Sequence, residues 1–115
     1  MILRQLFDSE SSTYTYLLAD EATREAALID PVREKLERDL GLLSELDLRL
    51  VYVLDTHVHA DHVTAAGLLR KRTGARTVAS RKGPTCADLH VGKGQQLRLG
   101  GVVIEILETP RLYST

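Results

Sequence analysis

Residues 50–62 have the sequence LVYVLDTHVHADH, and this stretch decides the predicted fold. Its first part, 50–54, is apolar, β-branched and aromatic, a composition typical of a buried strand. Residues 63–72 are predicted to form a helix, in which small residues near the start allow close packing on a sheet. The intervening loop therefore leaves the C-terminal end of a strand, where open α/β sheets usually place their chemistry.

This loop carries three histidines and one carboxylate: His57, His59, Asp61 and His62. In an extended segment, His57 and His59 point to the same side of the chain because they are two residues apart. Imidazole and carboxylate groups are suitable ligands for zinc, iron or manganese. Asp61 is also placed to cap the following helix, a role that does not exclude metal ligation. We predict that these four residues form a metal site.

Length and composition predict one globular domain covering residues 1–115. The net charge of −1 gives no electrostatic argument for binding nucleic acid or an anionic membrane. The sequence contains no apolar run long enough to span a bilayer. Cys86 is the only cysteine, so an internal disulfide is impossible, and a reducing, cytoplasmic location is expected.

The first half of the chain is predicted to begin with an antiparallel meander. Its strands are expected at 2–7, 13–19 and 26–29. A helix is expected over 33–46, where leucines recur at spacings of four, three and three. Gly41 lies inside this helix and marks either close packing or a break.

The second half is predicted to contain a short strand at 76–79 and a loop at 81–88. Two further strands, 96–99 and 102–107, flank Gly100-Gly101 and indicate a hairpin. His90 belongs to no compact ligand motif, and Cys86 is expected to be a small buried hydrophobic residue.

The sequence of residues 56–70, THVHADHVTAAGLLR, contains a pattern that resembles the H-x-H-x-D-H signature of the metallo-β-lactamase superfamily. Within that superfamily it is most similar to the glutathione-dependent persulfide dioxygenases (sulfur dioxygenases), which are relatives of glyoxalase II. The resemblance continues at 11–18, 30–32 and 87–91.

The resemblance implies an α/β (α+β) fold, half of an αββα sandwich with one mixed β-sheet and outer helices. In the family, Thr-Pro is followed by Gly-His and a second half, whereas Thr109-Pro110 is followed here by five residues. The chain is therefore expected to be a truncated, N-terminal half domain. Its inner sheet face would lack a cover, which predicts dimerisation, instability or aggregation, and hence a possible homo-oligomer.

Three functions follow from the resemblance. The first is oxidation of a small thiol-derived substrate, glutathione persulfide, at one Fe(II) ion, of whose family ligands only His57 is present. The second is hydrolysis of a glutathione thioester with one or two zinc ions. In that case His57 and His59 would hold one ion, and Asp61 and His62 would hold the other. The third is a non-catalytic metal-binding fragment, so enzymatic activity of the chain itself stays open. Asp61 is the expected catalytic residue.

Overall fold

The computed structural model describes residues 1–10, 13–55, 65–80, 87–106 and 113–114. The strands are β1 (Ile2–Asp8), β2 (Thr13–Ala19), β3 (Glu25–Ile29), β4 (Arg49–Leu54), β5 (Arg76–Ser80), β6 (Leu89–Val91), β7 (Gln96–Leu99), β8 (Val102–Glu105) and β9 (Tyr113–Ser114). The helices are α1 (Leu36–Glu45), which a 3₁₀ turn at Arg33–Lys35 precedes, and α2 (Ala65–Thr73).

The first six strands form one mixed sheet in the order β1-β2-β3-β4-β5-β6. The pairs β1–β2 and β2–β3 are antiparallel, which confirms the predicted meander. From β3 onward the strands are parallel, because α1 connects β3 to β4 and α2 lies between β4 and β5 along the chain. The predicted fold class is confirmed.

Both helices pack on one face of this sheet. Leu43 of α1 and Leu69 of α2 are buried there against sheet residues such as Leu17, Leu28 and Val53. The leucines of α1 thus pack on the core as predicted, because Leu36, Leu40 and Leu42 are partly buried beside Leu43. Gly41 lies inside α1 without a break and without close packing, because a Cβ built there meets no atom within 4 Å.

The opposite, inner face of the sheet is covered in part by a second sheet of order β7-β8-β9. Leu97, Leu99 and Ile104 of the β7–β8 hairpin are buried in one cluster with Leu18 and Leu54 of the large sheet. The expectation of one sheet with an uncovered inner face is therefore wrong for this region. The hairpin itself was predicted, but alternation within two strands cannot tell whether they extend a sheet or pack on one.

The hairpin is held to the first sheet at its turn. Gly100 has a φ of +57°, and a Cβ at this position would lie 2.5 Å from Asp20 Oδ2 and 2.6 Å from Thr23 Oγ1. Asp20 is fixed there because Thr23 donates to its Oδ2 from both backbone and hydroxyl. Gly100 is thus required by conformation and by contact.

Two short strands were not predicted. β6 pairs in parallel with β5, and β9 pairs with the outer edge of β8. Each has only two or three residues, too few for a period-of-two pattern to be recognised. Among the residues that the structure describes, no helix is both long and apolar enough to cross a membrane.

Candidate metal centre

The parallel strands β3, β4 and β5 end together along one edge of the large sheet. Backbone hydrogen bonds continue past the strand ends: Asp30 N donates to Leu54 O at 2.8 Å, and Asp55 N donates to Val78 O at 3.1 Å. The carbonyl end of β4 is therefore fixed on both sides up to Asp55, the last described residue before the histidine-rich loop. This is the strand–loop–helix setting that the sequence predicted.

The four predicted ligands lie outside the described residues. His57, His59, Asp61 and His62 fall in the segment 56–64, whose flanks are the end of β4 and the first residue of α2. The structure therefore shows where this segment leaves and rejoins the fold, and the ligand set stays a prediction. Cys86 also lies outside the described part of the chain.

The chemistry of the predicted donors suits a metal ion. Three imidazoles and one carboxylate supply nitrogen and oxygen donors, and this set has no thiolate. Over the described ranges, no other group of three His, Cys, Asp or Glu residues is placed to hold a metal. His90 lies on β6 beside Ala79 of β5 and is exposed, and it joins no such group.

One turn at this edge is stabilised by a buried hydroxyl. Thr15, fully buried on β2, donates from Oγ1 to the carbonyl oxygen of Asp30 at 2.9 Å. Asp30 has a φ of 54°, a left-handed conformation that aspartate tolerates better than most residues. The first residues of β2 thus fix the point at which β3 turns away from the site.

Helix α2, which follows the histidine-rich loop, is held by a group that sequence reasoning missed. We call it the Asp88 network: the Asp88 carboxylate accepts from Arg70 Nε at 2.9 Å, Thr77 N at 2.9 Å and Thr77 Oγ1 at 3.2 Å. In return, Asp88 N donates to Thr77 Oγ1 at 2.9 Å. Hydrogen bonds from the Thr77 backbone, and then from Arg70, lower the pKa of Asp88. The network joins α2, β5 and the segment before β6.

A second unpredicted group lies under α1. Asp39 is fully buried and pairs with Arg38, whose Nε lies 3.1 Å from Oδ1, while Arg38 Nη1 donates to Phe7 O at 2.9 Å. Within the described part of the chain, Asp39 Oδ2 and Arg38 Nη2 are buried without a hydrogen-bond partner. Burial raises the pKa of Asp39, and the charge of Arg38 opposes that rise.

Sequence comparison assigns the family. Residues 9–106, most of the chain, match the metallo-beta-lactamase superfamily. The chain belongs to the metallo-beta-lactamase superfamily. A solved structure from the same superfamily shows the same architecture. A metallo-beta-lactamase from Staphylococcus aureus superposes with a TM-score of 0.78 at 24% identity, over 93% of this chain and 34% of that one.

Within the superfamily, the similarity is greater to persulfide dioxygenases. The crystal structure of ETHE1 from Myxococcus xanthus superposes with a TM-score of 0.85 at 60% identity, covering 91% of this chain and 47% of that one. Mitochondrial persulfide dioxygenase ETHE1 of Mus musculus is 48% identical over 96% of this chain and 44% of its own length. Hydroxyacylglutathione hydrolase of Pseudomonas aeruginosa is 35% identical over 87% of this chain and 39% of its own length. The chain thus spans less than half of these relatives.

Proposed function

We propose that this metallo-beta-lactamase chain carries part of an iron site of the persulfide dioxygenase type, with glutathione persulfide as the substrate. One observation carries the proposal: the segment 56–64 connects the fixed end of β4 to α2 in a chain 48% identical to a persulfide dioxygenase. The hydrolase similarity is weaker, at 35% identity, so thioester hydrolysis is less favoured.

In this proposal, His57 would bind Fe(II), and His59 and His62 are neighbouring histidines of the same loop that do not ligate the iron. Iron in such enzymes is held by two histidines and one carboxylate, and of these three ligands this chain supplies only His57. Asp61 is the carboxylate of this loop. We assign to its carboxylate oxygen the acceptance of a proton released during the reaction.

The overall reaction determines what the site must handle. Glutathione persulfide, O₂ and water give glutathione, sulfite and two protons, and the outer sulfur loses the four electrons that reduce O₂. Two protons therefore have to leave the site in each turnover, which is why a carboxylate beside the ligands is useful. The described residues contribute positioning: backbone hydrogen bonds of Asp30 and Asp55 fix the strand ends, and the Asp88 network holds α2.

The test is the metal content of the purified 115-residue chain. The chain is prepared from iron-supplemented cells, and its iron and zinc are measured by elemental mass spectrometry after gel filtration. We expect iron in the wild type and its loss in His57→Ala. The matched control is His90→Ala, which removes a histidine from β6, outside the loop, and should retain iron. Oxygen uptake with glutathione persulfide should follow the iron content across the three proteins.

The other two functions would give different results. Zinc retention with hydrolysis of a glutathione thioester would replace the dioxygenase by the hydrolase. Iron retention without oxygen uptake would leave a non-catalytic metal-binding chain. A wild type free of both metals, or iron loss in His90→Ala alone, would contradict the proposed site.

A further inference from the structure

Three hydrogen bonds cross the large sheet at the edge from which the histidine-rich loop leaves. We call them the edge row: Thr15 Oγ1 to Asp30 O at 2.9 Å, Asp30 N to Leu54 O at 2.8 Å, and Asp55 N to Val78 O at 3.1 Å. The edge row links β2, β3, β4 and β5 and ends two residues before the first histidine of the loop. Two of its bonds join backbone groups, and the bond from Thr15 depends on a side chain.

Asp30 is the residue at which the edge row changes direction. In an extended strand, the N–H and C=O groups of one residue point to the same neighbouring strand. Asp30 instead directs its N–H to Leu54 O of β4 and its C=O to the Thr15 hydroxyl of β2. Its φ of 54° accounts for this rotation of the carbonyl group. Asp30 therefore bridges β2 and β4, and Thr15 provides the donor on the β2 side.

The conformation of Asp30 is not the one that its local sequence favours. Asp30 precedes Pro31, and a residue before proline favours an extended backbone with negative φ. A left-handed conformation of such a residue persists where tertiary contacts determine it. The hydrogen bonds to Thr15 and Leu54 are two contacts of this kind.

Thr15 carries a hydroxyl group in a place where an apolar side chain would also fit. It is fully buried, on the same face of β2 as Leu17, which lies in the cluster beneath the helices. Valine would have nearly the same shape in a strand and no polar group to satisfy. The buried hydroxyl is useful because its hydrogen bond, shielded from water, holds the Asp30 carbonyl firmly.

The edge row connects Thr15 to the predicted iron ligand. From Leu54 to His57 the chain spans at most about 11 Å, so the end of β4 limits where His57 can lie. We propose that Thr15 is a positioning residue for the metal site. Its hydroxyl orients Asp30, whose N–H fixes the carbonyl end of β4 and thereby the start of the histidine-rich loop. This inference rests on the proposed function, because it takes His57 as the ligand that is positioned.

The experiment is hydrogen exchange of the metal-free 115-residue chain. Thr15→Val keeps the shape of the side chain and removes the hydroxyl, whereas Thr15→Ser keeps the hydroxyl. In Thr15→Val, the Asp30 amide should exchange about tenfold faster than in the wild type, and the Asp55 amide several-fold faster. Both changes should exceed the change at Leu28, a buried residue of β3 whose amide reports on overall stability. Thr15→Ser should restore slow exchange at both amides.

The matched control is Thr73→Val, which removes a hydroxyl that donates to Leu69 O at 2.7 Å, at the end of α2 remote from the loop. It should change the two edge amides no more than it changes Leu28. The second measurement is Fe(II) affinity by anaerobic titration. Thr15→Val should bind Fe(II) about tenfold more weakly than the wild type, and Thr15→Ser and Thr73→Val should bind it equally well.

Three results would overturn the proposal. If exchange at Asp30 and Asp55 follows Leu28 in every variant, Thr15 contributes only to stability. If Thr15→Ser accelerates exchange as much as Thr15→Val, packing and not the hydroxyl is responsible. Faster exchange with unchanged Fe(II) affinity would confine the role of Thr15 to the turn and leave the proposed iron site intact.

Failure of the proposed function would give a different result. A wild type that binds no Fe(II) contradicts the iron site itself. In that case the exchange of the Asp55 amide still decides whether the Thr15 hydroxyl fixes the end of β4.

Discussion

Two carboxylates of this chain respond to pH in opposite directions, because one is surrounded by donors and the other is buried. The pKa of Asp88 is lowered from its ordinary value of 3.8, chiefly by the backbone hydrogen bond from Thr77 and then by Arg70. Its stabilising effect is therefore present above pH 3.8 and is lost as the pH falls through the lowered pKa. The pKa of Asp39 is raised by burial, so its contribution is greatest below pH 3.8 and is lost as the pH rises through the raised pKa.

Urea unfolding from pH 3 to pH 7 checks both signs. The loss of unfolding free energy in Asp88→Asn should be largest at neutral pH and should shrink on acidification. The free energy of unfolding of the wild type, relative to that of Asp39→Asn, should instead fall as the pH rises. If the change in unfolding free energy depended on pH in the same way for both variants, the lowered pKa of Asp88 and the raised pKa of Asp39 could not both be right. Each variant replaces a carboxylate by an amide of the same shape, so packing changes are small in both.

Two glycine-to-alanine substitutions should also have opposite signs. Gly41 lies in the exposed interior of α1, where a Cβ meets open space, so Gly41→Ala should stabilise the chain by about 0.5–1 kcal/mol. Gly100 has a positive φ, and a Cβ there would collide with Asp20 and Thr23, so Gly100→Ala should cost more than about 1 kcal/mol. Thermal unfolding of the two variants beside the wild type measures both changes. Destabilisation by Gly41→Ala would show that α1 does have a close neighbour at this position.

At the residue scale, the sequence predicts metal-binding side chains better than it predicts which charged side chains are buried. His57, His59, Asp61 and His62 are recognisable because four ligand-type side chains lie so close together in the sequence. Asp39 is one of many charged residues in an amphipathic pattern, and its complete burial is decided by the packing of α1. The partners of Asp88 lie 11 and 18 residues away, on β5 and α2, and no local pattern connects them.

At the scale of elements, the sequence predicts the long strands and helices well. It predicts less well which strand pairs with which, and which sheet packs on which. β2 and β7 have the predicted bounds because alternation and turn residues define them locally. β6 depends on β5 to form, and the second sheet depends on contact with the first. Such tertiary pairing is not contained in any short window of sequence.

Helix α2 offers a test of how one element is held. Two of its arginines pair with acids from other segments: Arg70 with Asp88, and Arg72 with Glu37 at 3.0 Å. The second pair is exposed, at 51% and 78%, and such surface pairs contribute little. Asp88 also accepts from the Thr77 backbone, so its removal leaves an amide of β5 unpaired. Asp88→Ala should therefore loosen α2, and Glu37→Ala should not.

Hydrogen exchange of the α2 amides measures this difference. In Asp88→Ala, exchange over 65–73 should be several-fold faster than in the wild type, and in Glu37→Ala it should be unchanged. Equal acceleration in the two variants would mean that general surface charge, and not the Asp88 network, holds the helix. Since α2 directly follows the histidine-rich loop, the same Asp88→Ala variant should also bind iron more weakly than Glu37→Ala.

At the scale of the whole molecule, β4 joins the two hydrophobic clusters. Val53 points into the cluster beneath the helices, and Leu54 points into the cluster beneath the β7–β8 hairpin. Both residues are essentially inaccessible to solvent, with exposures of 0% and 1%. The strand that leads to the histidine-rich loop is thus fixed from both faces, and the hairpin is part of its support.

Truncation of a hairpin residue tests whether this support is part of one cooperative fold. Ile104 is fully buried against the large sheet, so Ile104→Ala should lower the free energy of unfolding by about 2–5 kcal/mol. Val103 is its neighbour on β8, points to the opposite side and is only partly buried, so Val103→Ala should cost less than about 1 kcal/mol. If the hairpin and the six-stranded sheet unfold together, circular dichroism and tyrosine fluorescence will report one shared transition in each variant. Two separate transitions in Ile104→Ala would instead mean that the hairpin detaches by itself and that the sheet holds β4 without it.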